Sequence, residues 1–473
     1  MKNLFHSLLI FTLLISHLFT NAQDLPPNTT WKGEVMGIPL ALNVSRDSMS
    51  QKFSATFDSP TQGAIGLPIS KITVTTDSLK AYLASIKGGF YGQFNSDKSE
   101  INGTWQQGGG TFPMVFKRAE VAAPLHRPQT PKPPFPYQEE DVFYSNADQS
   151  INFGATLTFP QSDRPLPAVI LITGSGSQDR NETLFGHQPF WVIADHLSRN
   201  GIAVLRVDDR GIGETTGDGM NATSADFALD VLAGVQYLKN RKEIDPKQIG
   251  LIGHSEGGVI APLAAMKSPD IAFIVSMAGV GVKGSELMKK QLETSYAIMG
   301  YTASEIDIFN DLTDLFLRLN TDYPDQEELK EAFEPAFRAW RDQQPEEVMI
   351  KGKLAGEGSD ELIRQMAGRM FNPWMRYFLK YDPAATLAKV KIPVLAINGE
   401  KDVQVDAEQN LAGFEKLLKQ AGNSDYKIVS FPNLNHLFQT AKTGSVAEYA
   451  EIEETIAPEV LKVMTEWIKA HVK

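Results

Sequence analysis

The chain has no cysteine in its 473 residues. That absence excludes disulfide cross-links, a thiol nucleophile, thiolate metal sites and the lipidated cysteine of a bacterial lipoprotein. Histidine is scarce too, eight in all and unclustered, so a zinc site is not expected and the chemistry is expected to need no metal or cofactor. Positive charge is the third shortage. Lys and Arg number 45 against 57 Asp and Glu, a net charge of −12, and no dense basic run offsets this locally. Attraction to phosphate backbones or anionic lipid is therefore weak, and nucleic acid is not an expected partner. Long apolar runs are also missing. The stretch from Leu4 to Phe19 falls short of the ~20 residues needed to cross a bilayer, and it contains Ser7, Ser16 and His17. With Lys2 before it and Thr20, Asn21 and Ala22 after it, residues 1–22 read as a signal peptide, with export to the periplasm or beyond and no stable membrane insertion.

What remains is globular. Hydrophobic residues make up 42% and charged residues 22%, enough to bury substantial cores, and the length suggests two or three domains. Residues 23–123 alternate apolar and polar in short runs such as Ile38 to Val44 and Phe53 to Phe57, broken by turn residues. This predicts a small antiparallel β domain, barrel or sandwich. Prolines recur from Pro124 to Pro136, and residues 124–140 read as an extended linker.

From residue 141 the pattern changes. Short apolar runs at Ala168–Thr173, Ile202–Val207, Ile249–Gly253, Ile271–Ala278 and Val394–Asn398 read as buried strands. Helical segments follow or separate them at Pro189–Arg199, Ser224–Asn240, Glu256–Met266, Ala407–Lys419 and Pro458–Ala470. Such alternation indicates an α/β fold with a doubly wound, mostly parallel sheet, formed by residues 141–281 and 389–473. The interval from 282 to 388 is too long for one connection. Helical spacing at Ser304–Leu319, Gln326–Arg341 and Leu362–Leu379 predicts a helical cap, where Trp340, Phe371, Trp374 and Tyr377 either line an acyl pocket or form the cap's own core.

One hexapeptide carries the chemistry. Gly253-His254-Ser255-Glu256-Gly257-Gly258 lies between a predicted strand and a predicted helix, where a Gly-x-Ser-x-Gly sequence makes a sharp turn that lifts the serine hydroxyl above a sheet. A serine needs a base. His436 suits that role because it lies in a loop after the late strand Lys427–Phe431, and Asp402 suits the orienting role because it follows Val394–Asn398. The chain order Ser255, Asp402, His436 fits this fold, with Glu400 and Asp406 as rival carboxylates. The oxyanion hole would draw one N–H from Glu256 and a second from the loop Thr173–Arg180, at Ser175 or else Gly176. Arg180 and Arg210 either contact substrate or brace loops, with Asp179 and Asp209 as adjacent partners.

Taken as a set, Ile172-Thr173-Gly174-Ser175-Gly176-Ser177-Gln178-Asp179-Arg180-Asn181-Glu182, Asp208-Asp209-Arg210-Gly211-Ile212-Gly213 and the serine hexapeptide resemble the bacterial α/β-hydrolase carboxylesterases of the EstD type, near the serine aminopeptidase-like and dienelactone hydrolase-like branches. The resemblance runs from about Asp141 to the C-terminus. It implies a metal-free esterase acting on short-chain, small-molecule esters. Thr173-Gly174 stands where many relatives have His-Gly. The rivals are a serine peptidase on the same fold, with Asp179, Glu182 and Glu256 as a possible site for a substrate ammonium, and a non-catalytic binding protein.

Overall fold

The structure is a computed structural model that describes residues 28–35, 38–47, 50–59, 64–83, 88–107, 110–120, 126–356 and 359–472. The expected signal peptide lies outside them. The chain divides into two compact units, at Met1–Pro124 and Leu125–Lys473.

In the first unit, β1 (Asn28–Val35), β2 (Ile38–Arg46), β3 (Phe53–Ser59), β4 (Ala64–Pro68), β5 (Lys71–Val74), β6 (Ser78–Leu83), β7 (Gly88–Phe94), β8 (Glu100–Gln107) and β9 (Gly110–Ala119) form one antiparallel sheet. Its spatial order is β4-β3-β2-β1-β9-β8-β7-β6-β5. Period-two alternation sends Leu79, Ala81 and Leu83 of β6 to the same buried side. Phe57 on β3 stacks on Trp105 of β8 with ring centroids 4.9 Å apart. Those strands are four places apart, which on a flat sheet would separate them by ~19 Å. The sheet must therefore curl around Trp31, Leu42, Phe90, Ile101 and Phe116. The expected barrel or sandwich is a half-barrel.

The segment expected to be an extended linker is held down. Arg127 donates to the carbonyls of Phe185 and Ala450, each at 2.8 Å, and of Ile452 at 3.0 Å. Gln129 donates to the carbonyl of Ile456 at 2.7 Å, and the Tyr137 hydroxyl donates to Asp195 at 2.8 Å. Arg127 and Gln129 thereby satisfy backbone carbonyls that lie outside the ladders and helices, a pairing that proline spacing does not reveal. Gln138 already belongs to the next strand.

The second unit carries β10 (Gln138–Ser145), β11 (Asn152–Phe159), β12 (Leu166–Ile172), α1 (Pro189–Arg199), β13 (Ala203–Val207), α2 (Ser224–Lys239), β14 (Ile244–His254), α3 (Gly257–Ala265) and β15 (Ile271–Met277). After the cap come β16 (Val394–Gly399) and β17 (Tyr426–Phe431). The sheet order is β10-β11-β13-β12-β14-β15-β16-β17. β10, β11 and β13 pair antiparallel, and every later pair is parallel. Alternate residues of β12 serve two cores. Ala168, Ile170 and Ile172 share one with α2, α3 and Phe414, while Val169 and Leu171 share the other with Phe190, Leu197, Val460 and Met464. Helices on both faces explain why β12 is apolar along its whole length.

Among the described residues the cap has six α-helices: α4 (Gly284–Ile298), α5 (Ala303–Asp322), α6 (Gln326–Arg341), α7 (Glu346–Lys351), α8 (Ser359–Met370) and α9 (Pro373–Lys380). The single helix expected over Leu362–Leu379 is two. Pro373 cannot continue the backbone ladder, and Asn372 caps α9 by accepting the N–H of Met375 at 2.7 Å. Two more helices, α10 (Ala407–Gln420) and α11 (Pro458–His471), complete the layers. Among the described residues no helix is long and apolar enough to cross a membrane.

Candidate active site

The end of β14 presents Ser255 in the left-handed region, at φ +53°, a strained conformation for a residue with a side chain. The glycines around it are required by space. A Cβ on Gly253 would lie 2.0 Å from the carbonyl oxygen of Gly257, and one on Gly257 would lie 2.3 Å from that of Ile172. The turn is tied to the neighbouring strand by the Ser255 N–H, which donates to the Met277 carbonyl at 2.8 Å. Glu256 then stands at the N-terminal end of α3, where backbone N–H groups favour developing negative charge.

Asp402 lies three residues beyond β16 and is buried. Its Oδ1 accepts the N–H groups of Gln404 and Val405, both at 2.8 Å, and its Oδ2 contacts Nδ1 of His436 at 2.7 Å. A carboxylate held so fully fixes the ring that it holds. The rivals are committed elsewhere, Glu400 to the Ser430 hydroxyl at 2.9 Å and Asp406 to the first turn of α10 through the N–H of Gln409 at 2.8 Å. The loop beneath His436 is braced by Asn435, whose Oδ1 accepts the N–H groups of Leu437 and Gln439 at 3.0 and 2.9 Å.

The loop after β12 comes to the same place. A Cβ on Gly174 would lie 3.2 Å from the Cβ of Ser255. Ser175 and Gly176 follow on the exposed side, with Gly176 at φ +94°. Asp209 clamps this loop. It accepts the Thr173 hydroxyl at 2.8 Å and the Gln178 N–H at 2.9 Å, while its own N–H donates to the Gln178 carbonyl at 3.1 Å. Burial pushes the Asp209 carboxyl up to about 8, against the opposing pull of the Gln178 and Thr173 hydrogen bonds.

Glu256, Ser224, Trp374, Glu182 and His254 have side-chain contacts that the sequence did not disclose. Glu256 is buried, and its Oε1 accepts the Ser224 hydroxyl at 2.6 Å and Nε1 of Trp374 at 2.7 Å. Burial raises its pKa, partly offset by the Ser224, Trp374 and Ser175 hydrogen bonds. Glu182 accepts the Gly174 N–H and faces Nδ1 of His254, each at 2.9 Å. The spacing between Ser224, Glu256 and Trp374 carries no signal in the sequence, because the contact is made by folding the cap back. Trp374 and Tyr377 face the sheet domain, with Tyr377 in a cleft of about 550 Å³ between α3 and α9. Phe371 and Trp340 pack inside the cap instead.

Arg180 and Arg210 brace loops, though not through the expected neighbours. Arg180 pairs with Asp208 at 2.6 Å, Glu214 at 2.8 Å and Asp141 at 3.2 Å, and Arg210 pairs with Asp230 at 2.5 Å. Asp179 instead accepts the N–H groups of Asn181 and Thr183, both at 3.0 Å.

Residues 167–440 match the α/β-hydrolase fold family, a span that holds Ser255, Asp402 and His436. The chain is an α/β-hydrolase. Over 338 residues this α/β-hydrolase is 25% identical to Esterase EstD of Thermotoga maritima, covering 70% of this chain and 68% of that one. It is also 25% identical to an uncharacterized 31.7 kDa protein of Escherichia coli, over 68% of this chain and 98% of the other. Among solved structures it is similar to the Pyrococcus furiosus esterase Pf2001, at 16% identity and a TM-score of 0.43, with 74% of this chain and 99% of that chain covered.

Proposed function

We propose that this α/β-hydrolase cleaves carboxylic esters of small molecules, short-chain acyl esters above all, through an acyl-enzyme on Ser255. The observation that carries the proposal is the pairing of His436 Nδ1 with a fully hydrogen-bonded Asp402 at 2.7 Å, together with a serine held at φ +53° on a strand-to-helix turn. Asp402 selects the tautomer with Nδ1 protonated, so Nε2 can take the Ser255 proton as the hydroxyl attacks the ester carbonyl. The N–H groups of Glu256 and Ser175 stabilise the oxyanion, Gly176 standing in for Ser175 as the alternative. Alcohol departs with the proton from His436, and water repeats the sequence on the acyl-enzyme. The similarity to Esterase EstD favours an ester as substrate.

The acidic residues that an aminopeptidase would need are already occupied, which also favours the ester. Glu182 faces His254, Glu256 holds Ser224 and Trp374, and Asp179 holds its own loop. Export by the amino-terminal segment belongs to the same proposal. Hydrolysis of p-nitrophenyl esters from acetate to laurate, beside aminoacyl p-nitroanilides, tests it. Ester turnover that declines with acyl length and vanishes in Ser255→Ala is expected. Preferential anilide cleavage, or turnover that survives Ser255→Ala, overturns it.

A further inference from the structure

The nucleophile turn, the loop after β12 and the loop carrying His436 come from three separate parts of the chain, yet one buried pair touches all of them. Glu182 Oε1 accepts the Gly174 N–H and faces His254 Nδ1, each at 2.9 Å. The other ring nitrogen of His254, Nε2, faces the carbonyl oxygen of His436 at 3.0 Å. Both side chains are nearly sealed from solvent, at 4% exposure for Glu182 and 7% for His254. Glu182 also sits at φ +53°, a backbone cost that the surrounding contacts must hold in place.

We infer that Glu182 and His254 form a charged positioning pair, which fixes the oxyanion loop and the loop of the general base relative to Ser255. This rests on the reading of Ser255, His436 and Asp402 as the reacting groups. A carbonyl oxygen and a carboxylate oxygen can only accept hydrogen bonds. The His254 ring therefore donates on both sides and is an imidazolium. Burial alone would disfavour that charge, but the Glu182 charge and hydrogen bond, the His436 carbonyl and the more distant Asp402 charge together outweigh it and raise the His254 pKa. The His436 ring lies 4.8 Å from that of His254. Without the Glu182 charge, one His254 nitrogen loses its proton. The ring then keeps a donor for only one of its two partners.

The pair touches backbone atoms and no reacting atom, so its loss should slow the chemical step and leave substrate affinity alone. Glu182→Gln keeps the volume and an acceptor for Gly174 but removes the charge, whereas Glu182→Ala removes both. The experiment measures the rate of Ser255 labelling by a fluorophosphonate probe and the kcat and KM for p-nitrophenyl acetate, with thermal unfolding as the check on folding. The expected result is a kcat and labelling rate lowered roughly 10-fold in Glu182→Gln and roughly 100-fold in Glu182→Ala, with KM within about twofold. His254→Gln reports the same loss from the other partner if the Glu182 variants do not fold. Folded variants that label and turn over at the wild-type rate overturn the inference, as does a rise in KM with kcat unchanged. Wild-type protein that the probe does not label overturns the reading of Ser255 itself, and this inference with it.

Discussion

At the scale of single residues, the buried carboxyls around the site are distinguished by what surrounds them. Asp402 is saturated by two N–H donors and the His436 ring. Replacing it with Asn should keep the geometry but favour the wrong tautomer of His436. The expected loss in kcat for ester hydrolysis is on the order of 10⁴-fold, with little change in melting temperature, measured on the same preparation. Asp209 is a different case, because burial raises its folded pKa from the ordinary 3.8 of an aspartate to about 8. Between those two values the folded state holds a proton that the unfolded state has released. Stability therefore declines as pH rises through that window and levels off above about 8. Asp209→Asn, which can still meet Thr173 and Gln178, should flatten that decline. Thermal unfolding measured from pH 5 to pH 9 on both proteins checks it, and parallel curves would count against a proton on Asp209.

At the scale of elements, a hydrogen bond from Trp374 on α9 to Glu256 joins the cap to the nucleophile turn. Trp374→Phe should keep the stack on Phe378, whose ring lies 5.5 Å away, while leaving a buried carboxylate with one donor fewer. The expected cost is about 1–3 kcal/mol, read as a lower melting temperature, and a variant as stable as the parent would show that the bond does little. The sequence revealed this element scale unevenly. The helices at Pro189–Arg199 and Gln326–Arg341 have the expected bounds because proline or an acidic cap marks their start and their apolar period is regular. The cap as a whole is less regular. Leu362–Leu379 reads as one helix by spacing, although Asn372-Pro373 divides it, and α4 has only Gly284 and Leu287 buried, so it carries little apolar pattern to find.

For the whole molecule, each unit has its own apolar core, around Trp31, Phe57, Trp105 and Phe116 in the first and around the eight-stranded sheet in the second. Separate cores are expected to unfold as separate cooperative units. Differential scanning calorimetry of Trp105→Ala should shift one transition, by about 3–5 kcal/mol for loss of a buried aromatic ring, and leave the second transition and ester turnover in place. A single transition that moves as one would argue against independent units. The sequence by itself determined the order of strands and helices, the strand-turn-helix that holds Ser255, and the candidates Asp402 and His436, because these depend on local period, turn chemistry and chain order. Only the tertiary structure decided which charges meet. Arg180 found Asp208 rather than Asp179, Glu182 found Gly174 and His254, and Trp374 found Glu256. Such partners lie on different loops, and a contact between distant loops is fixed by how the sheet and cap pack rather than by any spacing along the chain.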